Sequence, residues 1–381
     1  MRWAASPGRW RHEPDAGGEY GGTIMMIRAK APLRLGFAGG GTDVPPFPEF
    51  EGGCVLSATI NMYSFGTLRP LEDDSIHLRS ADLGLALEFA HGVPLTYDGH
   101  LDLAKAAIRK LGGESGGGFD MFLHTDAPPG SGLGSSSSLM VTVMGLLKEW
   151  RRLALGDYEL AQMAYTLERQ ELAIPGGMQD QYAAAFGGWN FIEFGVNQVT
   201  VNPLRLPQEV LNELEHNLVL CYSGGTRPDV GIVDDQVERY RRGERLSLHS
   251  LRRQKSLAIE MKNLLLSHKL NEFGGLLHEA WEIKKGMSPH ITNPRIDNLY
   301  QAARKAGALG GKLNGAGGGG YMMFYCDFER RLEVEHALKS RGCAIRDFAF
   351  ENRGLQTWRV PSRQESRVLP APAHVTAALQ A

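Results

Sequence analysis

The sequence predicts an α+β fold in two domains, and three observations predict it. The chain has 381 residues, 43% hydrophobic and 22% charged, long enough for two units with separate cores. Strand-like and helix-like segments follow one another without the regular alternation of a doubly wound parallel sheet. A strand-led first block gives way near residue 206 to charged amphipathic helices that close on further strands. The expected partition is an extension at 1–23, a first domain at 24–205, a second at 206–360 and a tail at 361–381.

The elements follow in order. Residues 24–38 read as a strand and 52–70 as one or two more, rich in β-branched and aromatic residues between glycine breaks. Residues 101–111 suit a short helix, and the alternation of FDMFLHTDAP at 119–128 suits a strand. From Ser137 onward, Leu139, Val143, Leu146, Leu147, Trp150 and Leu153 recur at helical spacing. A further helix over 157–172 takes Asp157 as its N-cap, IPGG at 174–177 interrupts it, and MQDQYAAAFGG resumes it before the strand-like WNFIEF. HNLVLCYS at 216–223 reads as a buried strand, long helices run to about 308, and KLNGAGGGGYMMFYC at 312–326 is a glycine loop entering a strand.

Composition excludes several classes. A formal net charge of -2 argues against a nucleic-acid partner. No apolar run reaches the ~18 to 20 residues of a membrane span. Residues 1–23 carry arginines without an apolar core, so they read as a disordered extension, neither signal peptide nor structure, with Met25 or Met26 as the natural start. Cys54, Cys221, Cys326 and Cys343 have neither metal-ligand nor disulfide spacing and read as reduced core residues of a cytoplasmic protein.

Two glycine-rich segments point to chemistry. PPGSGLGSSSS at 128–138 sets three glycines among five serines immediately before a helix. A flexible linker would need neither the prolines nor the helix. The unpaired N–H groups of a first helical turn attract anions, glycines let the backbone close around them, and serine hydroxyls bond phosphate or a metal on it. This is a phosphate cradle, with Pro129, Gly130, Ser131, Gly132, Leu133, Gly134, Ser135, Ser136 and Ser137 as its expected members. GAGGGG at 315–320 fits G-x-G-x-x-G literally, but a strand follows it instead of a helix, so it is no dinucleotide fingerprint. Five glycines in six residues exceed a turn's needs and suit close approach to a ligand or another loop.

APLRLGFAGGGTD at 31–43, PPGSGLGSSSS at 128–138 and KLNGAGGGG at 312–320, with GGMQDQ at 176–181, resemble the motifs of the GHMP small-molecule kinases. The resemblance spans about residues 26–358. It implies a ribosomal-protein-S5-like N-terminal domain and a ferredoxin-like C-terminal one, with ATP and Mg²⁺ held between them. By the same resemblance Ser136 and Glu168 are metal ligands, Asp180 is the catalytic base, and Arg34 stands near it. The residues alone also allow Glu168 as a surface helix carboxylate, Asp180 as a dipole-favoured acid and Arg34 as an exposed strand arginine.

Galactokinases place a glutamate and a histidine before T-D in the first motif, whereas this chain has Gly40 and Gly41 before Thr42 and Asp43. LRLGFAGGGTDVPPF followed by GGCVLSATIN resembles most the kinases of D-glycero-D-manno-heptose 7-phosphate, and less closely the kinase portion of fucokinases. The expected partner is therefore a small sugar phosphate, and the expected substrate contacts are Gly40, Gly41, Thr42, Asp43, Gly315, Gly317 and Gly318. Asp43 would bond sugar hydroxyls, unless it only closes an Asx turn. A phosphate remote from the reacting hydroxyl needs cations. Arg227 in YSGGTRPDV is the expected one, and Lys284, Lys285 and Arg295 flank another possible wall or are solvated surface charges. The rival from another class is a catalytically silent sugar-binding regulator on the same fold.

Overall fold

The structure is a computed structural model that describes residues 25–112, 117–224 and 231–361. The expected extension at 1–23 lies outside the described residues, as do Arg227 and all of the tail except Pro361. Its first half comprises β1 (Met25–Ala38), α1 (Phe47–Glu51), β2 (Gly53–Pro70), β3 (Ile76–Ser80), β4 (Leu85–Phe89), α2 (Asp102–Leu111), β5 (Phe119–Thr125), α3 (Ser135–Arg151), α4 (Asp157–Tyr165), α5 (Gln179–Phe186), β6 (Trp189–Gly195) and β7 (Gln198–Pro203). The second comprises α6 (Gln208–Asn217), β8 (Leu218–Tyr222), α7 (Ile232–Arg241), α8 (Arg245–Leu266), α9 (Leu270–Lys285), α10 (Pro294–Lys305), β9 (Ala308–Leu313), β10 (Tyr321–Cys326), α11 (Arg331–Lys339), β11 (Ala344–Arg346) and β12 (Gln356–Pro361).

One long strand, β2, organises the first sheet. Its first half pairs with β6 and its second with β5, while β1 runs antiparallel along most of its length. The sheet order is β12-β1-β2-β5-β3-β4, and among the described strands only β3 with β5 pairs in parallel. The register shifts between Pro32 and Leu33, and the packing of β1 changes there. Before the shift, Ile27, Ala29 and Ala31 join a core with Met140, Val143 and Leu147 of α3. After it, Leu33, Leu35 and Phe37 join a different core, built with Leu220 and Met323 of the second sheet and Leu257 and Leu277 of α8 and α9. The extra residues at the shift, Asn61 and Met62, lie on β2, and such an irregularity bends the paired strands locally.

The second sheet is antiparallel, β11-β8-β10-β9. Alternation along its inner strands serves two cores: Leu220, Met323 and Tyr325 face the first domain, and Val219, Met322 and Phe324 face Leu299 and Leu338 of α10 and α11. Each half thus has a core of its own, and a third, middle core belongs to both. The last of the described strands also returns to the first sheet, β12 pairing with β1 from Met25↔Pro361 to Lys30↔Gln356.

Two local expectations shift. α3 begins at Ser135, two residues before the apolar periodicity does, because Gly134 takes the left-handed cap at φ 76°. Gly156, not Asp157, is the N-cap of α4, and the Glu159 carboxylate accepts from its N–H at 2.8 Å. After α4 the helix widens into a π turn at Thr166–Glu171, which contains Glu168. Such bulges often mark functional sites.

Candidate active site

Three glycine segments far apart in sequence meet at one place. A Cβ added to Gly315 (φ +71°) would lie 2.5 Å from the Gly132 Cα, so these two loops touch backbone to backbone. Ser131 seals the contact with its main chain, its carbonyl accepting from Tyr321 N at 2.9 Å. Beneath them, the Arg34 Nε donates to Asp180 Oδ1 at 2.6 Å and its Nη1 donates to the Gly132 carbonyl at 2.6 Å. One guanidinium thus ties β1, the serine-glycine loop and the start of α5 together.

Two connected cavities open around this junction. The larger, about 710 Å³, is lined by Pro129, Gly130, Gly132, Gly134, Ser135, Ser136 and Ser137, by Glu168, and by Gly315, Gly317 and Gly318 opposite. The smaller, about 140 Å³, is lined by Gly40, Gly41, Asp43, Gln179, Gln236, Lys284 and Lys312. Arg34, Arg169, Asp180 and Gly315 line both. Asp180 therefore stands at the junction of the two cavities.

Glu168 is fully buried on the π turn and accepts from Ser136 Oγ at 2.5 Å, Ser137 Oγ at 2.6 Å and Gln181 Nε2 at 2.7 Å. A surface carboxylate would do none of this. Asp43 is also fully buried, accepting from Gln179 N at 3.0 Å, Gly41 N at 3.0 Å and Gln179 Nε2 at 3.1 Å. Burial raises its pKa above the usual aspartate value, against the Gln179 and Gly41 amide bonds, and nearby Asp180 adds to the rise. Gly177 makes room for it, since a Cβ there would lie 2.0 Å from Asp43 Oδ2.

Not every expected residue reaches a cavity. Thr42 is buried and turns its hydroxyl to the backbone, donating to Gly39 O at 2.7 Å and accepting from Cys54 N at 3.1 Å, so its role is to close the loop that carries Asp43. Ser131 and Leu133 are buried away from the cradle; Leu133 packs in the shared core and accepts from Arg34 N at 3.0 Å. Gly317 and Gly318 line the larger cavity and not the smaller one. Lys284 is buried, not a solvated charge, whereas Lys285 pairs with Glu282 and Arg295 Nε donates to the Ser223 carbonyl at 2.8 Å.

Sequence reasoning missed Arg169. Its guanidinium donates to Gly177 O, Ile174 O and Pro175 O at 3.3 Å each and to Ser137 Oγ at 3.3 Å, fixing the IPGG bend against α3. Its position one residue after Glu168 and just before a glycine-proline bend is the available signal. Lys312 and Asn314, inside the quoted KLNGAGGGG, were also missed: Lys312 Nζ donates to Gly36 O at 2.8 Å and Asn314 Oδ1 accepts from Gly36 N at 3.1 Å.

This geometry, a glycine-serine loop lining one cavity and joined to a smaller polar cavity through an Arg–Asp pair, has counterparts in known proteins. Residues 102–188 match the GHMP kinases N terminal domain and residues 261–343 the GHMP kinases C terminal domain. Over 341 residues the chain is 38% identical to the D-glycero-alpha-D-manno-heptose 7-phosphate kinase of Campylobacter jejuni, covering 88% of this chain and 100% of that one. It is 30% identical over 370 residues to the L-fucokinase/L-fucose-1-P guanylyltransferase of Bacteroides fragilis, of which it spans 39%. The crystal structure of a D-glycero-D-manno-heptose 1-phosphate kinase from Bacteroides thetaiotaomicron superposes with a TM-score of 0.75 at 35% identity, over 88% of this chain and 100% of that one. A Lactococcus lactis galactokinase complexed with galactose shares the fold alone, with a TM-score of 0.71 at 21% identity over 87% of this chain and 95% of that one. The chain belongs to the GHMP kinase family, and it is an ATP-dependent phosphotransferase.

Proposed function

We propose that this kinase phosphorylates the anomeric hydroxyl of D-glycero-D-manno-heptose 7-phosphate, giving the 1,7-bisphosphate, in the cytoplasm. The observation that carries the reading is the end-to-end match with a heptose 7-phosphate kinase, at 38% identity over 100% of that relative. ATP takes the larger cavity, its phosphates against the backbone amides of the loop before α3, and the sugar takes the smaller one beside Asp43. Asp180 Oδ1 is held by Arg34, and the carboxylate faces the junction, where it accepts the proton of the attacking hydroxyl. Arg34 stands beside the phosphoryl group in flight and offsets its charge.

Mg²⁺ fits the donors present. Ser136 Oγ and the Glu168 carboxylate are hard oxygen ligands lining the larger cavity, and Mg²⁺ binds through one or two protein oxygens plus substrate phosphates. When bound there it would neutralise the phosphate oxygens. The 30% match to the fucokinase protein supports L-fucose as the second reading. An ATP-consumption assay over heptose 7-phosphate, free heptose, L-fucose and D-mannose separates the two. Strong preference for heptose 7-phosphate is expected, and equal use of free and phosphorylated sugars overturns the reading.

A further inference from the structure

Lys284 lies near the end of α9 and is 7% exposed, yet among the described residues it has no carboxylate partner within ion-pair distance. Its Nζ donates instead to two carbonyls, Leu313 O at 3.2 Å and Gly315 O, the latter in the loop that touches Gly132. Two acceptors take up both N–H donors of a neutral amine. An ammonium has a third N–H, and Lys284 lines the smaller cavity.

The charges around that cavity favour an anion. Arg34 on β1, Arg169 on the π turn, Lys284 on α9 and Lys312 on β9 line it, against the carboxylates Asp43 and Asp180. Without an anion, burial and the Arg34 charge drive the Lys284 pKa down to about 7, with Asp43 opposing. Lys312 is depressed in the same way, by burial and then by Lys284 and Arg34, and its Nζ likewise donates to two carbonyls, those of Gly36 and Phe37, so substitution of Lys284 is what separates the two lysines.

We propose that Lys284 is a further acceptor-binding residue, which takes up a proton when a sugar phosphate occupies the smaller cavity and donates its third N–H to an anionic oxygen of that ligand. The proposal rests on the kinase reading above and gives its acceptor cavity a charged contact within α9. It also makes binding sensitive to pH. Above pH 7 the free enzyme holds Lys284 neutral, so affinity for the acceptor falls by up to about tenfold per pH unit.

The test is isothermal titration of D-glycero-D-manno-heptose 7-phosphate at pH 8 in two buffers of different ionisation enthalpy. Wild-type enzyme should take up close to one proton per acceptor bound, and ADP-Mg²⁺ alone should cause no such uptake. Lys284→Met and Lys284→Gln should lose the uptake and raise the acceptor KM about tenfold or more while the ATP KM stays unchanged; glutamine retains N–H donors for the two carbonyls if methionine unfolds the site. Unchanged proton uptake in a folded Lys284→Gln, or equal uptake with nucleotide alone, overturns the role of Lys284 and leaves the kinase reading intact. Failure of the wild type to bind heptose 7-phosphate while it phosphorylates an unphosphorylated sugar overturns both.

Discussion

Arg34 and Asp180 stand 146 residues apart in the chain, and the Arg34 Nε meets Asp180 Oδ1 at 2.6 Å. The same guanidinium holds the Gly132 carbonyl, so the position of the carboxylate is set by the serine-glycine loop itself. This coupling gives Asp180→Asn a sharp signature. The variant keeps the shape and loses the proton acceptor, so turnover should fall ~10² to 10⁴ fold. Nucleotide affinity, measured by titration with ADP-Mg²⁺, should persist. Turnover close to wild type would make Asp180 a structural residue.

Ser136 and Glu168 form the second pair. Ser136→Ala and Glu168→Gln should each raise the Mg²⁺ concentration that gives half-maximal rate. Only Glu168→Gln should also lower the melting temperature. Glu168 is fully buried and accepts three side-chain hydrogen bonds, and a glutamine would set an N–H₂ group against donors, a mismatch that costs ~1 to 3 kcal/mol. An unchanged Mg²⁺ dependence in both variants would move the metal elsewhere.

Much of this site was legible in the sequence, and the reasons are local. The cradle and Asp180 sit in segments whose glycine spacing and apolar flanks carry their own signal, whereas Glu168, on a charged helical stretch, was marked only by the family resemblance. Thr42 was misread because T-D looks alike whether its hydroxyl meets a ligand or closes the turn at Gly39. Lys284 reads in sequence as one more charge near the end of an amphipathic helix, and only the packing of α9 against β9 buries it. The shared middle core was unreadable for the same reason: Leu33 and Ile27 have equal spacing along one strand, yet they enter different cores on either side of the register shift against β2.

Gly315 tests the contact between the two glycine loops. Gly315→Ala places a Cβ 2.5 Å from the Gly132 Cα at a φ of +71°, so the loops must part. Because Gly315 lines both cavities, KM should rise for nucleotide and acceptor together, and turnover should fall at least tenfold. Wild-type kinetics in this variant would show that the two loops need not touch for catalysis.

The buried lysine also leaves a mark on stability. Lys284 has a folded pKa of about 7 against an ordinary 10.5, so between these values the unfolded chain holds a proton that the folded chain does not. The group's contribution is fully present above pH 10.5, weakens as pH falls through this window, and is lost below about 7. Each step of one pH unit inside the window corresponds to up to about 1.4 kcal/mol. Lys312 and other buried groups titrate too, so the measurable quantity is a difference between proteins. Urea unfolding at pH 7 and pH 9.5 should show Lys284→Met gaining on the wild type at the lower pH and losing that advantage at the higher. A pH-independent difference between the two would mean that Lys284 keeps its proton in the folded enzyme, with the Leu313 and Gly315 carbonyls sufficient to hold the charge.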